Sequence, residues 1–341
     1  MKKERQKVLK GMPGSLQMDG VDLNRELPRY LMMNMETTCP LRCLKCAQPG
    51  RNRSMGPSLS LQEREKIVDL GINIGVKELV ILGAGEPLLT RNYERIVQPI
   101  IRHANANGLG TVLFTTTLGL NSQKAEFLRD NNVTVFVSFD SLSAVTYKKL
   151  TGGGNLEATL KNIQLLRELF RNTRQVLPDG RVLIRLAINM TIQKDNVHEL
   201  DDIKAFAAEE MQFICNVPMP EGKLRIYKNW EQLVGDQMPL FAQLAHEKSE
   251  TGSHSSVYNE GVCSYFFLGL AVDSDGEFLT CAYASDSALH LGNARDVMTA
   301  EDLLSRYKMS REKYTQWCSA IGRRPSCPLR DEDYEMFIQS L

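Results

Sequence analysis

The stretch RYLMMNMETTCPLRCLKC, residues 29–46, runs from an apolar segment of strand length directly into three cysteines spaced C-x₃-C-x₂-C. Its apolar part, 29–36, is the first of six such runs. ELVILG (78–83), TVLFTT (111–116), VTVFVSFD (133–140), RVLIRLAINM (181–190) and MQFICNV (211–217) follow, each apolar or β-branched over a strand's length. Between them lie helical stretches. SLQEREKIVDLGINIG has Ser60 placed as an N-cap, and NYERIVQPIIRHANANG closes on Gly108. NSQKAEFLRDNN, NLEATLKNIQLLRELFR and NVHELDDIKAFAAEE complete the set. Pro99 predicts a kink or break in the second. Repeated strand–helix units predict a parallel sheet with right-handed crossovers. Six units predict an α/β fold, a partial (β/α)₆ barrel, with reactive groups on loops at the strand C-terminal ends. Cys39, Cys43 and Cys46 fall on the first of those loops.

The rhythm changes after residue 220. NWEQLVGDQMPLFAQLAHEKSE (229–250) reads as one or two helices and TGSHSSVYNEG (251–261) as a polar linker. LGLAVDSDGEFLTCAYA (268–284) reads strand, Asp-Gly turn, strand. The expected organisation is an N-terminal extension at 1–20, a barrel at 21–220, and at 221–341 linker helices with a small C-terminal domain built on a β-hairpin.

Bulk properties exclude several classes of function. The 341 residues carry 41 Lys plus Arg against 41 Asp plus Glu, so no global field recruits nucleic acid or an anionic membrane. MKKERQKVLKGMPG lacks the apolar segment of a signal peptide, and no stretch has the apolar length of a membrane span. A cytoplasmic location is expected. In a reducing compartment, eight cysteines point to metal ligands or catalysis before disulfides.

A structural zinc site or an electron-transfer iron–sulfur cluster usually takes four protein ligands. Three thiols leave one iron of a four-iron cluster open to a substrate or cofactor. The competing reading is a zinc knuckle completed elsewhere, or core thiols. The C-x₃-C-x₂-C stretch resembles the signature of the radical S-adenosylmethionine (radical SAM) enzymes. LGAGEP (82–87) is similar to that family's glycine-glycine-glutamate-proline motif, with Ala84 in place of one glycine. In VSFDS (137–141), Ser138 and Asp140 fit its ribose-contacting positions. The resemblance implies that Gly85 and Glu86 hold the methionyl amino group. It also implies a cation for the methionyl carboxylate. Leu150 stands where an arginine is frequent, so Lys148, Lys149 or Arg185 is expected to substitute.

Cys263-x₁₂-Gly276-x₄-Cys281 resembles the auxiliary-cluster hairpin of the twitch and SPASM extensions of the family, and LGNA (291–294) its continuation. By that resemblance Cys318 and Cys327 complete four ligands of one auxiliary [4Fe-4S] cluster. A structural Cys₄ zinc site is the alternative.

The resemblance thus implies two [4Fe-4S] clusters and a reductant such as flavodoxin or a ferredoxin-type protein. Reductive cleavage of S-adenosylmethionine would give a 5′-deoxyadenosyl radical that abstracts hydrogen from an unactivated C–H bond. Fewer than forty residues precede Cys39, which favours a small molecule over a leader-guided peptide. The expected reaction is dehydrogenation of a hydroxylated substrate of sugar or aminocyclitol type, with the auxiliary cluster accepting an electron. Cys215, left over once both clusters are assigned, is either a small buried hydrophobe or the hydrogen donor of an epimerase. Peptide modification and a non-enzymatic zinc-binding module are the remaining alternatives.

Overall fold

A computed structural model describes residues 7–10, 27–35, 39–43, 45–46, 57–82, 85–89, 93–207, 210–216, 218, 233, 263–283, 289–296, 299–323, 325, 328 and 336–337. Six parallel strands form its centre: β2 (Tyr30–Asn34), β3 (Glu78–Leu82), β4 (Gly110–Thr115), β5 (Val133–Ser138), β8 (Leu186–Thr191) and β9 (Gln212–Asn216). Crossovers carry α1 (Leu61–Asn73), α2 (Gln98–Ala106), α3 (Ser122–Asp130), α4 (Ala144–Thr151), α5 (Leu156–Phe170) and α6 (Leu200–Ala207). This is the expected (β/α) series, and it stays open: β9 is one end of the sheet.

Both faces of the sheet are covered, so its strands read as continuous apolar runs rather than alternating ones. Leu31, Leu79, Ile81, Val135 and Ile188 pack with Ile67, Ile100 and Leu166 of the helices. The opposite parity, Tyr30, Met32, Val80, Val112, Phe136 and Ile214, packs against the C-terminal segment. Each fully buried Leu, Ile or Val contributes roughly 1.5–3 kcal/mol.

The helix boundaries follow local chemistry. Ser60 accepts from the Glu63 amide while the Glu63 carboxylate accepts from the Ser60 amide, a capping box at the start of α1. Pro99 sits in the first turn of α2, where its missing N–H costs nothing, after a π-helical turn at Tyr93–Val97. The predicted break falls there.

Two features of the pairing go beyond expectation. The run 181–190 is two strands: β7 (Val182–Ile184) joins a small sheet with β1 (Lys7–Leu9) and β6 (Gln175–Val176), and β8 begins after Arg185. Ten residues exceed the five or six that cross the central sheet, so the chain changes sheets. The C-terminal hairpin, β10 (Gly269–Val272) and β11 (Glu277–Leu279), is no separate layer. β10 pairs parallel with β2, and β12 (His290–Asn293) extends the same nine-stranded sheet. Gly276 turns the hairpin at φ +98°, and Asn293 braces that turn through the Asp275 carbonyl. Helices α7 (Ser264–Phe267) and α8 (Ala300–Ala320) then close over it. The helices expected at 229–250 and the linker at 251–261 lie outside the described residues apart from Leu233.

No described helix is long and apolar enough to cross a membrane.

Candidate active site

The C-terminal ends of the parallel strands gather the first motif. Beyond β2, Cys43 donates through its Sγ to the Thr151 carbonyl at 3.6 Å, and the Arg42 amide donates to the same oxygen at 2.9 Å. The cysteine loop therefore docks on the C-terminus of α4. Gly152 caps that helix at φ +64°, and a Cβ there would lie 2.5 Å from the Arg42 Cβ. Only glycine meets both demands. Burial pushes the Cys43 thiol up to about 11; Lys45 opposes this, and Asp140, Cys46 and Cys39 add to it. The three thiols and the Lys45–Asp140 pair thus share one electrostatic neighbourhood.

Asp140 is held from several sides. The Lys45 ammonium pairs with its Oδ2, the Thr191 amide donates to Oδ1 at 2.8 Å, and Asn196 donates to its carbonyl at 2.9 Å. Glu199 fixes the chain just beyond, accepting from the Ser141 hydroxyl and the Leu142 amide.

Glu86 lies at 2% exposure with four donors on its carboxylate. Oε1 accepts from the Leu88 amide and the Thr115 hydroxyl, Oε2 from the Thr116 amide and hydroxyl, at 2.5–3.1 Å. Burial pushes its pKa up against the pull of these donors. The carboxylate staples the β3 loop to the end of β4. There Thr117, fully buried, holds φ +65°, an outlier for a β-branched residue, and Asn162 secures its carbonyl at 3.0 Å. Gly85 lies beside it, half-buried; Gly83 and Ala84 lie outside the described residues. Tyr147 ties these parts together: burial raises its hydroxyl to about 12, and Asp140, Cys43 and Glu86 all press it further up.

Ser138 shares the face of Phe136, away from the helices, and pairs in register with Asn189 on β8. Asn216 on β9 donates to the Asn189 side chain. Sequence reading passed over Asn189 and Asn216, although two amides inside apolar strands were the available signal.

Two expected residues fall elsewhere. Arg185 precedes β8, at the N-terminal end of the sheet, where its Nη1 donates to the Arg129 carbonyl at 2.9 Å and its guanidinium lies over Phe170. The cysteines sit at the other end, so Arg185 is not beside them. Cys215 pairs in register with Met190 and has the parity of Phe213, both of which pack with the helix-facing core. Its side chain shares the helix-facing parity rather than that of the amide-lined face. Lys149 pairs with Asp195 at 2.9 Å, and Lys148 is exposed on α4.

Cys263, Cys281 and Cys318 are buried in one packed cluster with Phe266, Phe267 and Tyr314. Cys327 lies outside the described residues. Among the described residues, no three His, Cys, Asp or Glu side chains converge tightly enough as they stand to cage a metal ion. Thiolates in such numbers are the ligands that zinc and iron–sulfur sites use.

The family profile of the Radical SAM superfamily matches residues 33–206. A probable GTP 3′,8-cyclase of Methanococcus maripaludis is 34% identical over 137 residues, covering 40% of this chain and 44% of the relative. The GTP 3′,8-cyclase of Listeria monocytogenes is 29% identical over 203 residues, covering 56% and 54%. The chain thus spans about half or less of these curated relatives. Among solved structures, Streptococcus suis SuiB bound to S-adenosylmethionine matches with a TM-score of 0.55 at 15% identity over 82% of this chain and 64% of that one. Native anSMEcpe with bound AdoMet and Cp18Cys peptide matches at 0.56 and 16% identity over 92% and 95%. At those identities the likeness is one of fold.

Proposed function

The chain belongs to the radical SAM superfamily, and from that premise we propose that it dehydrogenates a hydroxylated small molecule of sugar or aminocyclitol type. It is an enzyme that binds and cleaves S-adenosylmethionine beside a [4Fe-4S] cluster. When bound, these groups supply reductive opening of the sulfonium and hydrogen-atom abstraction from an unactivated C–H bond. Cys39, Cys43 and Cys46 would hold the cluster, which a flavodoxin or ferredoxin-type protein would reduce. Gly85 offers backbone to the methionyl group on a loop that Glu86 shapes. Ser138 and Asp140 face the ribose, with Lys45 and the Thr191 amide orienting the Asp140 carboxylate.

The observation that carries the substrate class is the Asn189–Asn216 pair on the face that Ser138 shares, which offers neutral donors and acceptors suited to hydroxyl groups. Dehydrogenation removes one hydrogen atom, one proton and one electron from the substrate. Cys263, Cys281 and Cys318, with Cys327, would hold the auxiliary cluster that takes the electron.

A second reading, a purine nucleotide substrate, is favoured by the cyclase relatives. A triphosphate calls for several cations; among the described residues of this mouth the Lys45 ammonium is paired with Asp140. The deciding experiment is anaerobic reconstitution followed by a panel of polyols, aminocyclitols, GTP and short peptides. A polyol that drives 5′-deoxyadenosine formation and returns lighter by two hydrogens supports dehydrogenation. Turnover with GTP or a peptide alone would overturn it.

A further inference from the structure

At the N-terminal end of the sheet, opposite the cysteine loop, a cleft of about 230 Å³ opens between the end of α5, the switch of sheets before β8 and the turn that leads into β9. Arg167, Arg171, Arg174, Arg185 and Glu210 line it, four guanidinium groups against one carboxylate. Two of the four have a local reason to be there. Arg167 and Arg171 approach Glu210 with their Nε atoms at 3.8 and 3.5 Å, and both complement the negative end of the α5 dipole. Arg174 and Arg185 pair with no carboxylate among the described residues. Arg174 is exposed, just beyond the helical turn Arg171–Thr173. Arg185 is 7% exposed, donates to the Arg129 carbonyl at 2.9 Å and rests on the Phe170 ring. Burial and the Arg129 charge lower its pKa, and burial and the Arg185 charge lower that of Lys10. Cations that crowd and repel one another beside a buried guanidinium call for an anion.

We propose that this cleft binds a phosphate-sized oxyanion, free or as the terminal phosphate of a small molecule, with the Arg174 and Arg185 guanidinium groups as its principal donors. The planar fork of a guanidinium presents two parallel N–H groups to such an anion. The cleft is smaller than the roughly 300–1,000 Å³ of sites that enclose a whole drug-sized ligand, so it takes a phosphoryl group and leaves any remainder of the molecule in solvent. The six residues of β8 separate it from the strand ends that carry the cysteine loop, about 20 Å at the usual rise of a strand. The anion is therefore an effector rather than the substrate of the radical reaction. By joining α5, the start of β8 and the turn before β9, it stabilises the folded chain by mass action.

Isothermal titration calorimetry at constant ionic strength tests this on the full chain, with inorganic phosphate and glycerol 1-phosphate as probes. The parent is expected to bind one equivalent of at least one probe with a Kd below about 1 mM. Tighter binding of either one supports the site and names its source. Arg174→Gln and Arg185→Gln are each expected to weaken binding at least about tenfold, the loss of a charge-assisted hydrogen bond. Arg174→Gln is a surface change, so it decides the matter should Arg185→Gln fail to fold. Arg181, exposed in the same segment and paired with Asp179 at 2.6 Å, is the control, and Arg181→Gln is expected to leave the affinity within about twofold. An equal loss in Arg181→Gln would make the attraction a general field of this surface and overturn the site. Unchanged affinity in Arg174→Gln overturns it too, as does the absence of saturable binding of either probe to the parent.

Discussion

The two thiol sets differ in almost every physical respect. Cys39, Cys43 and Cys46 are partly exposed on a loop, beside a lysine–aspartate pair and a strand end lined with amides. Cys263, Cys281 and Cys318 are sealed among aromatic rings, in a region where Arg311 has no carboxylate partner among the described residues. An open, polar surround admits a cosubstrate and substrate. A closed, apolar one with a fixed cation suits electron storage. On the proposed function the two places divide binding from redox poise, and the sharpest way to break that division is to remove one set at a time.

Replacing Cys39, Cys43 and Cys46 together with Ala is expected to abolish 5′-deoxyadenosine formation and leave about half the iron of the reconstituted protein, on a count of one four-iron cluster per site. Iron analysis and an anaerobic cleavage assay check this. Full iron retention would mean that the mouth holds no cluster.

Glu86 separates mouth from scaffold. Glu86→Ala strips one carboxylate from four donors, two of them backbone amides, so it is expected to lower stability by about 3 kcal/mol. Urea unfolding of the unreconstituted chain reads this directly. Glu86→Gln, which keeps the volume and one acceptor oxygen, should cost less. If neither variant loses stability while S-adenosylmethionine binding weakens, Glu86 acts as a ligand rather than a staple.

The scaffold was legible because both-face burial makes each central strand an apolar run, and the cysteine spacing marked the loop. The rest was hidden for identifiable reasons. Helix α8 buries Leu303, Tyr307, Arg311, Tyr314 and Cys318 on one face, and with Arg and Tyr in that stripe its apolar period does not show. α4, which seats Cys43, is only eight residues long. RVLIRLAINM reads as one strand until pairing reveals two sheets, and that misplaced Arg185. Where both faces are buried, apolar character carries no inside–outside parity, so the direction of Cys215 needed the β8–β9 register.

That direction makes a smaller prediction. Cys215→Ala removes one buried sulfur facing the helices, with an expected loss of about 1 kcal/mol and no change in the product. Product mass spectrometry in D₂O checks it. Incorporation of one solvent deuterium that vanishes in Cys215→Ala would return the thiol to the active site.

The smallest effect concerns the seam between the two regions. Arg295, in the turn after β12, donates to Glu63 at 2.7 Å in the first turn of α1, and also to the Asp275 and Pro57 carbonyls. The Arg295 hydrogen bond, with those from Ser60, lowers the Glu63 pKa to about 2. A carboxylate whose pKa is depressed on folding adds stability above its unfolded value, near 4.3, and loses it as pH falls toward 2. Its side chain is about a third exposed, so solvent screening keeps the pair to about 0.5 kcal/mol. Glu63→Gln retains an acceptor for the capping box and removes only the charge. The difference between Glu63→Gln and the parent in urea should therefore be about 0.5 kcal/mol at pH 7, shrink in high salt, and vanish as pH falls from 4.5 to 2. A difference that persists at low pH would assign the seam to the hydrogen bonds of Arg295 rather than to its charge.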